Sequence, residues 1–378
     1  MHDLIVVGGG PAGSAAAYKA RQSGLSVLVL ERKVFPREKP CGGAVSERAL
    51  EWIGEPLPPE VPVREIYGAR VCYRDYVVER RNTDRMAVIV SRSELDHWLL
   101  QRAVEHGAEV EFGRKVVGYE EHGDHVRVFT EDDSFCARFL VVAEGCQGKL
   151  KRAVRGRETA AELGVCLTAD IGPGDWKDCP DDLVDIHFGV AHFGYGWVFP
   201  HAKGFAVGIG GLARDIGDIR GKMSAFLEDR GFPSDHPVRG HQIPLGGVGG
   251  RPVATARVAL AGDAAGFVDP FLGEGIAYAI RSGQLAADAT AQALKGGSLE
   301  SAGYARACKK EFGRDLRYAL YLARLVHRWP GAFCTLLASR GEVVDAYFRV
   351  NSGMVSYGRF LAWLLPRTPL YLASALKS

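Results

Sequence analysis

Leu4-Ile5-Val6-Val7 runs directly into Gly8-Gly9-Gly10-Pro11-Ala12-Gly13, and no other segment constrains this chain as tightly. A short run rich in β-branched residues suits a strand buried on both faces. An Ala-rich helical stretch follows, Gly24 is placed to close it, and Ser26-Val27-Leu28-Val29-Leu30 reads as the next strand, ending at Glu31. This is a βαβ unit. G-x-G-x-x-G alone also occurs in ordinary turns. Here the strand before it, the helix after it and an acid 18 residues past Gly13 together select dinucleotide binding. Gly8 permits the tight turn, Gly10 lets a pyrophosphate approach the backbone, and Gly13 lets helix and strand pack closely. The helix start at Ala12 offers unpaired N–H donors and partial positive charge to phosphates, and Glu31 is placed to accept from a ribose diol.

The rest of the composition mostly excludes. A chain of 378 residues, 47 % apolar and 24 % charged, is globular, with length for about two or three domains. Glycine, 47 residues, is well above the usual share of ~7 %, which suits many close backbone approaches. With 47 Lys+Arg against 45 Asp+Glu, no long-range field favours nucleic acid. The eight cysteines show no C-x-x-C spacing, which argues against zinc, an iron–sulfur cluster or a disulfide scaffold and fits a reducing, cytoplasmic setting. The N-terminal residues do not read as a signal peptide, and no apolar run of about 18 residues suggests a membrane span.

The identity of the dinucleotide turns on a second buried strand, Val258-Ala259-Leu260-Ala261, which ends in Gly262-Asp263, and on Gly273-Glu274-Gly275 before a helical stretch from Ile276 to about Leu294. These segments resemble the p-hydroxybenzoate hydroxylase-type flavoprotein superfamily, in which a late Gly-Asp motif completes an FAD site. The resemblance implies that Asp263, beside Gly262, binds the ribityl and pyrophosphate region, and that Gly273, Gly275 and Ile276 face the flavin. A helix N-terminus there would stabilise the negative charge of a reduced flavin. Ser91-Arg92-Ser93-Glu94-Leu95-Asp96 resembles the superfamily's Arg-x-x-Leu-Asp segment, placing Arg92 near the cofactor. Phe139 to Gly145 resembles its second strand-and-acid signature. There Glu144 replaces the usual aspartate, Gly148 stands at the serine position, and Lys151-Arg152 lie near that of the arginine.

Pro40-Cys41-Gly42-Gly43 and Tyr195-Gly196-Trp197-Val198-Phe199-Pro200, the latter followed by Gly208-Ile209-Gly210, resemble the geranylgeranyl reductases, flavoenzymes that hydrogenate isoprenoid double bonds. The resemblance implies an α/β fold (α+β overall): a Rossmann-like FAD-binding domain of glutathione reductase and p-hydroxybenzoate hydroxylase type, with an inserted antiparallel-sheet substrate domain and a helical C-terminal tail. The expected FAD-binding segments are 1–57, 88–158 and 251–290. Residues 58–87 and 159–250 are expected to form the substrate sheet, and 291–378 the helical region. Arg32, Cys41 and Gly42 join the FAD-binding set on the same grounds.

Reduction of an isolated alkene has an electronic difficulty, because hydride addition would leave an unstabilised carbanion. Protonation first, or in concert, gives a tertiary carbocation instead. Tyr195, Trp197 and Phe199 are expected to line an apolar channel and stabilise that charge by cation–π attraction, with hydride from the flavin and Cys41 as a catalytic candidate. An alternating strand with one aromatic face in the core would read the same way. Gly208-Ile209-Gly210-Gly211 and Gly246-Gly247-Val248-Gly249-Gly250 lack the context of a second nucleotide fold and read as structural turns. The electron donor, NADPH or reduced ferredoxin, is therefore external. His187, His192, His201 and His241 show no ligand spacing and read as structural or exposed, and no metal is expected. Arg314, Arg317, Arg324 and Arg328, interleaved with Leu316, Leu320, Leu322 and Leu325, form a basic amphipathic tail that either caps the substrate domain or touches a membrane peripherally. The substrate is expected to be a prenyl lipid or prenylated small molecule. An aromatic monooxygenase, a flavin-dependent halogenase and a non-enzymatic flavin carrier remain open.

Overall fold

A computed structural model describes residues 1–172, 181–244 and 250–369. The first sheet places strands in the order Glu109–Phe112, Val27–Glu31, His2–Val7, Ser134–Val142, Val126–Thr130 and Val116–Glu121, and Val258–Leu260 also pairs with Ser134–Val142. The pairings among His2–Val7, its two neighbours and Val258–Leu260 are all parallel. Their apolar runs are continuous because both faces of the sheet are covered, and Leu4 to Val7, Val27 to Leu30, Phe139 to Val142 and Val258 to Leu260 are all buried. Val7 sits in register with Leu30 and Val142, and Val142 with Leu260. The residues that follow these positions, Gly8, Glu31, Ala143 and Ala261, therefore emerge together at the carboxyl edge of the sheet, where ligands of open α/β sheets bind. The opening helix, Pro11–Gln22, and the late helix, Ile276–Ala293, pack side by side against this sheet.

The second sheet runs Arg239–Pro244, Leu163–Ile171, Gly204–Leu212, Tyr195–His201, Leu183–Phe188, Gly68–Tyr73 and Tyr76–Arg81. The expected antiparallel pattern needs one correction: Leu183–Phe188 and Gly68–Tyr73 are parallel. These two strands are separated in sequence by most of the first sheet, and so long a crossover is what a parallel pair permits. A second correction concerns Gly208 to Gly211, which belong to the strand Gly204–Leu212 and not to a turn; Gly208, Ile209 and Gly210 are paired on both sides and Gly211 on one. Gly246 to Gly249 lie outside the described residues. A small sheet is formed by Ala44–Ser46, Ala87–Val90 and Val63–Ile66, whose strands interleave in sequence with those of the two large sheets.

The C-terminal helices Arg314–Arg328, Pro330–Ser339, Gly341–Asn351 and Tyr357–Leu364 share one hydrophobic cluster with the second sheet, in which Leu322, Val326, Val343 and Phe360 meet Ala69, Val78 and Phe188. At about 1.5–3 kcal/mol per fully buried large side chain, this docking is worth enough to hold the helices against the sheet.

Candidate active site

One cavity of about 820 Å³ is lined by both large sheets, the opening and late helices, and the C-terminal helices. All the expected site residues line it except Gly13 and Gly262, which lie behind its wall. A chain of contacts orders the lining. Phe333 touches Phe188 with ring centroids 5.9 Å apart, Phe188 lies 6.3 Å from Tyr195, Tyr195 lies 6.0 Å from Trp197, and Trp197 lies 6.3 Å from Phe199. A Cβ on Gly42 would sit 2.9 Å from Phe199 Cδ2, so the Pro40 to Gly43 loop rests on this aromatic wall. From there Cys41 touches Arg92, which forms a bidentate pair with Asp96 at 2.8 and 2.8 Å, and Asp96 binds Arg37 at 3.1 Å. Arg37 Nη2 closes the chain, 3.3 Å from where Gly10 would carry a Cβ. The cavity thus runs from a polar end at Gly8 to Ala12, Glu31 and Arg32 to an apolar arm walled by Val71, Ile186, Phe188, Phe333, Val344 and Phe348.

The glycine turn shows which glycines serve the protein and which serve a ligand. Gly8 has φ +102°, and a Cβ there would lie 2.5 Å from Ala143 O. A Cβ on Gly13 would lie 1.8 Å from Gly8 O, so helix and strand close only with glycine. Gly10 is different, with φ −76° and ψ −174°, backbone that any residue adopts, and only Arg37 nearby. Its missing side chain leaves room in the cavity. The helix that starts there has no side-chain cap and no acid in its first turn. The late helix, capped by Gly275, likewise has none. Two sets of unpaired N–H groups and two positive dipole ends therefore meet one cavity. Glu31, buried, is held by Gly9 N at 2.7 Å and Lys33 N at 2.8 Å, which leaves further lone pairs for a diol.

The aromatic wall explains the spacing of its motif. Alternation puts Tyr195, Trp197 and Phe199 on the cavity face. A Cβ on Gly208 would meet Trp197 Cζ2 at 2.3 Å, so the neighbouring strand gives up a side chain to seat the indole. The Tyr195 hydroxyl donates to Leu272 O in the loop before the late helix, and burial pushes its pKa well up, so it stays a neutral donor. Arg92 is only 9 % exposed, which excludes a solvated surface role.

Two groups in the cavity were not assigned from sequence. Lys39 Nζ donates to the His241 ring, 202 positions away, and burial with the nearby Lys39 and Arg92 charges holds His241 down to about 3, a neutral acceptor. His241 is thus a lining residue of the site, correcting the expectation that it is merely structural or exposed. Glu274 lines the cavity between Gly273 and Gly275. Its carboxyl accepts from Ser46 Oγ, and burial raises its pKa despite the opposing charge of Arg48. Glu274 thus faces the cavity from a half-buried position, and its burial favours the protonated form of the carboxyl.

Residues 1–177 match the FAD binding domain family. A digeranylgeranylglycerophospholipid reductase of Methanopyrus kandleri is 30 % identical over 365 residues, 85 % of this chain and 86 % of that protein. The chain belongs to the geranylgeranyl reductase family. A menaquinone reductase of Mycobacterium tuberculosis is 31 % identical over 315 residues, 76 % of each chain. Among solved structures, a geranylgeranyl bacteriochlorophyll reductase-like protein of Thermoplasma acidophilum has the same fold, with a TM-score of 0.79, 22 % identity and 99 % of each chain covered.

As a geranylgeranyl reductase family member, the protein is an FAD-dependent oxidoreductase, and the cavity fits that cofactor. The space left at Gly10 and the uncapped opening helix would take the pyrophosphate, Glu31 a ribose, Asp263 the ribityl region, and Gly273 to Ile276 the pyrimidine side of the flavin. The reductase also shows how its departure at Glu144 is accommodated. Glu144 accepts from Lys149 N at 3.0 Å and Lys151 N at 2.9 Å, and a Cβ on Gly148 would fall 1.9 Å from the Glu144 carboxyl carbon. The longer acid occupies the space that a side chain at 148 would need, so the two departures compensate each other.

Proposed function

We propose that this reductase hydrogenates C=C bonds of a prenyl chain carried by a lipid, quinone or pigment precursor. The carrying observation is the continuous apolar arm, walled by Phe333, Val344 and Phe348 and joined to the cofactor end through the Tyr195, Trp197 and Phe199 wall. The named activities of the relatives differ in head group, a glycerophospholipid in one and a quinone in another, and both molecules carry isoprenoid chains. FAD, when bound and reduced by an external donor, supplies hydride. Every other requirement falls on the side chains. Glu274 holds a proton at its carboxyl and gives it to one alkene carbon, forming a C–H bond and leaving a carboxylate that solvent reprotonates. The positive charge that develops on the other carbon faces Trp197 and its neighbouring rings, where cation–π attraction without competing water is worth about 1–2 kcal/mol. Cys41, against Arg92 and beside the Gly42 and Phe199 contact, narrows the passage between the two ends.

Trp197→Leu should retain FAD and slow single-turnover alkene reduction roughly ten-fold. Stopped-flow flavin reoxidation by a prenyl lipid under anaerobic conditions measures this, and an unchanged rate would remove the aromatic wall from the mechanism. An aromatic monooxygenase or a halogenase would instead consume oxygen and return a hydroxylated or halogenated product.

A further inference from the structure

The helix Arg314–Arg328 has a solvent face of unusual composition. Two of the leucines that the sequence spacing brings forward, Leu316 and Leu322, point into the core. Instead Tyr318, Tyr321, Leu325 and the following Trp329 stand in the open, 42, 53, 38 and 57 % exposed. Their spacing of three, four and four residues makes one stripe along the helix. Every other exposed residue of that face is an arginine: Arg314, Arg317, Arg324 and Arg328. None of the four forms an ion pair among the described residues. The acids adjacent in sequence are otherwise engaged, since Glu311 is paired with Arg281 and Asp315 is half-buried and near the Arg48 charge. The chain as a whole carries a formal charge of only +2, so this concentration of cations is local.

Two structural links tie the face to the cavity. Trp329 O accepts from Phe333 N, so one helical turn separates the exposed indole from a ring that lines the apolar arm. His327, on the same helix, also lines the arm and stacks near Phe193 with centroids 4.8 Å apart. Beside Tyr318 lies Gly358 of the helix Tyr357–Leu364, whose neighbourhood adds exposed Arg359, Leu365 and Arg367. Among the described residues no helix is long and apolar enough to cross a membrane.

We infer that this face docks on a bilayer containing anionic phospholipid, with the aromatic stripe at the headgroup level and the arginines on phosphates, and that it presents the mouth of the apolar arm to prenyl chains in the membrane. Tyr and Trp belong at such an interface because one end of each ring system is apolar and the other polar. Each arginine near an anionic surface contributes about a five-fold gain in affinity at moderate salt. This inference rests on the prenyl-substrate reading and is separable from it by experiment.

The test uses the FAD-loaded full chain and flotation with vesicles of phosphatidylcholine alone or with about 30 mol % phosphatidylglycerol. Binding is expected to the anionic vesicles only, to fall as salt rises, and to drop roughly a hundred-fold in the triple variant Arg317→Gln, Arg324→Gln, Arg328→Gln. Tyr321→Ser with Trp329→Ser should also abolish it. All these variants should keep their flavin and reduce a detergent-solubilised prenyl lipid at the parent rate. Equal absence of binding to both vesicle types would overturn the inference. So would a homodimer in sedimentation that Tyr321→Ser with Trp329→Ser splits into monomers, because the stripe would then be covered by a second copy. Vesicle binding without reduction of any prenyl lipid would leave the docking face intact and remove the substrate reading instead.

Discussion

Gly10→Asp should give a protein that folds, stays colourless, and melts above the flavin-free parent. The two effects have opposite sign because one position serves two purposes. Gly10 is the N-cap of the opening helix with no capping side chain, and its φ and ψ are those in which an aspartate caps well. A cap together with a carboxylate at the positive end of the helix dipole stabilises by about 0.5–1 kcal/mol. The new Cβ meets only the end of the Arg37 side chain. The same carboxylate stands where the pyrophosphate would approach. Two like charges about 4 Å apart at an effective dielectric near 20 repel by about 4 kcal/mol, or about a thousand-fold in affinity. Thermal unfolding of the flavin-free protein and flavin fluorescence titration read the two effects separately. Parent-like affinity for FAD would show that the turn does not cradle the phosphates. Gly13→Ala makes the useful contrast, since a Cβ 1.8 Å from Gly8 O cannot be accommodated and both folding and flavin binding should fail.

Glu274→Gln should retain FAD and slow alkene reduction by about 10²–10⁴-fold, the usual contribution of a general acid. Glutamine keeps the shape and still accepts from Ser46 Oγ, so the loop should hold its place. What is lost is the proton. A pH profile distinguishes this from a structural effect. Burial raises the Glu274 pKa from its ordinary value, so the protonated, active form persists to higher pH than for an exposed carboxylate and the parent rate should decline as pH rises through the Glu274 pKa. In the glutamine variant that decline should be absent and the residual rate flat. Cys41→Ser serves as the companion: with Glu274 as acid it should change the rate modestly and leave the pH dependence in place. If Cys41→Ser abolished reduction while Glu274→Gln did not, the proton would have to be reassigned to the thiol.

The parts of the site that could be read from sequence are those fixed by local backbone geometry. Gly8 and Gly13 are glycines because a carbonyl lies where a Cβ would go, and such demands leave fixed spacings in any chain. Trp197 with Gly208 is legible for a related reason, since a large ring on one strand empties the position beside it on the next. Contacts made across long sequence separations left no such trace. Lys39 and His241 meet only because the Pro40 loop and the edge strand of the second sheet face the same cavity. Glu274, between two glycines, is indistinguishable in sequence from a loop residue until Ser46 and Arg48 are brought to it. The C-terminal wall of the apolar arm, Phe333, Val344 and Phe348, comes from amphipathic helices whose pattern says only that one face is covered. Arg314–Arg328 carries apolar residues on two faces, and periodicity does not say which face meets the core; here packing buried Leu316 and Leu322 and left Tyr318, Tyr321, Leu325 and Trp329 outside.

A tightly held FAD and an apolar prenyl-binding arm sharing one cavity should exchange a hydride within the protein. Anaerobic reduction of the purified protein with dithionite, followed by addition of a prenyl lipid, tests it directly. The expected result is a yellow protein, bleached by dithionite, whose absorbance returns with the lipid while the product gains the mass of two hydrogens per reduced double bond. A protein that binds no FAD on reconstitution, or a bound flavin that no prenyl chain reoxidises, would contradict it.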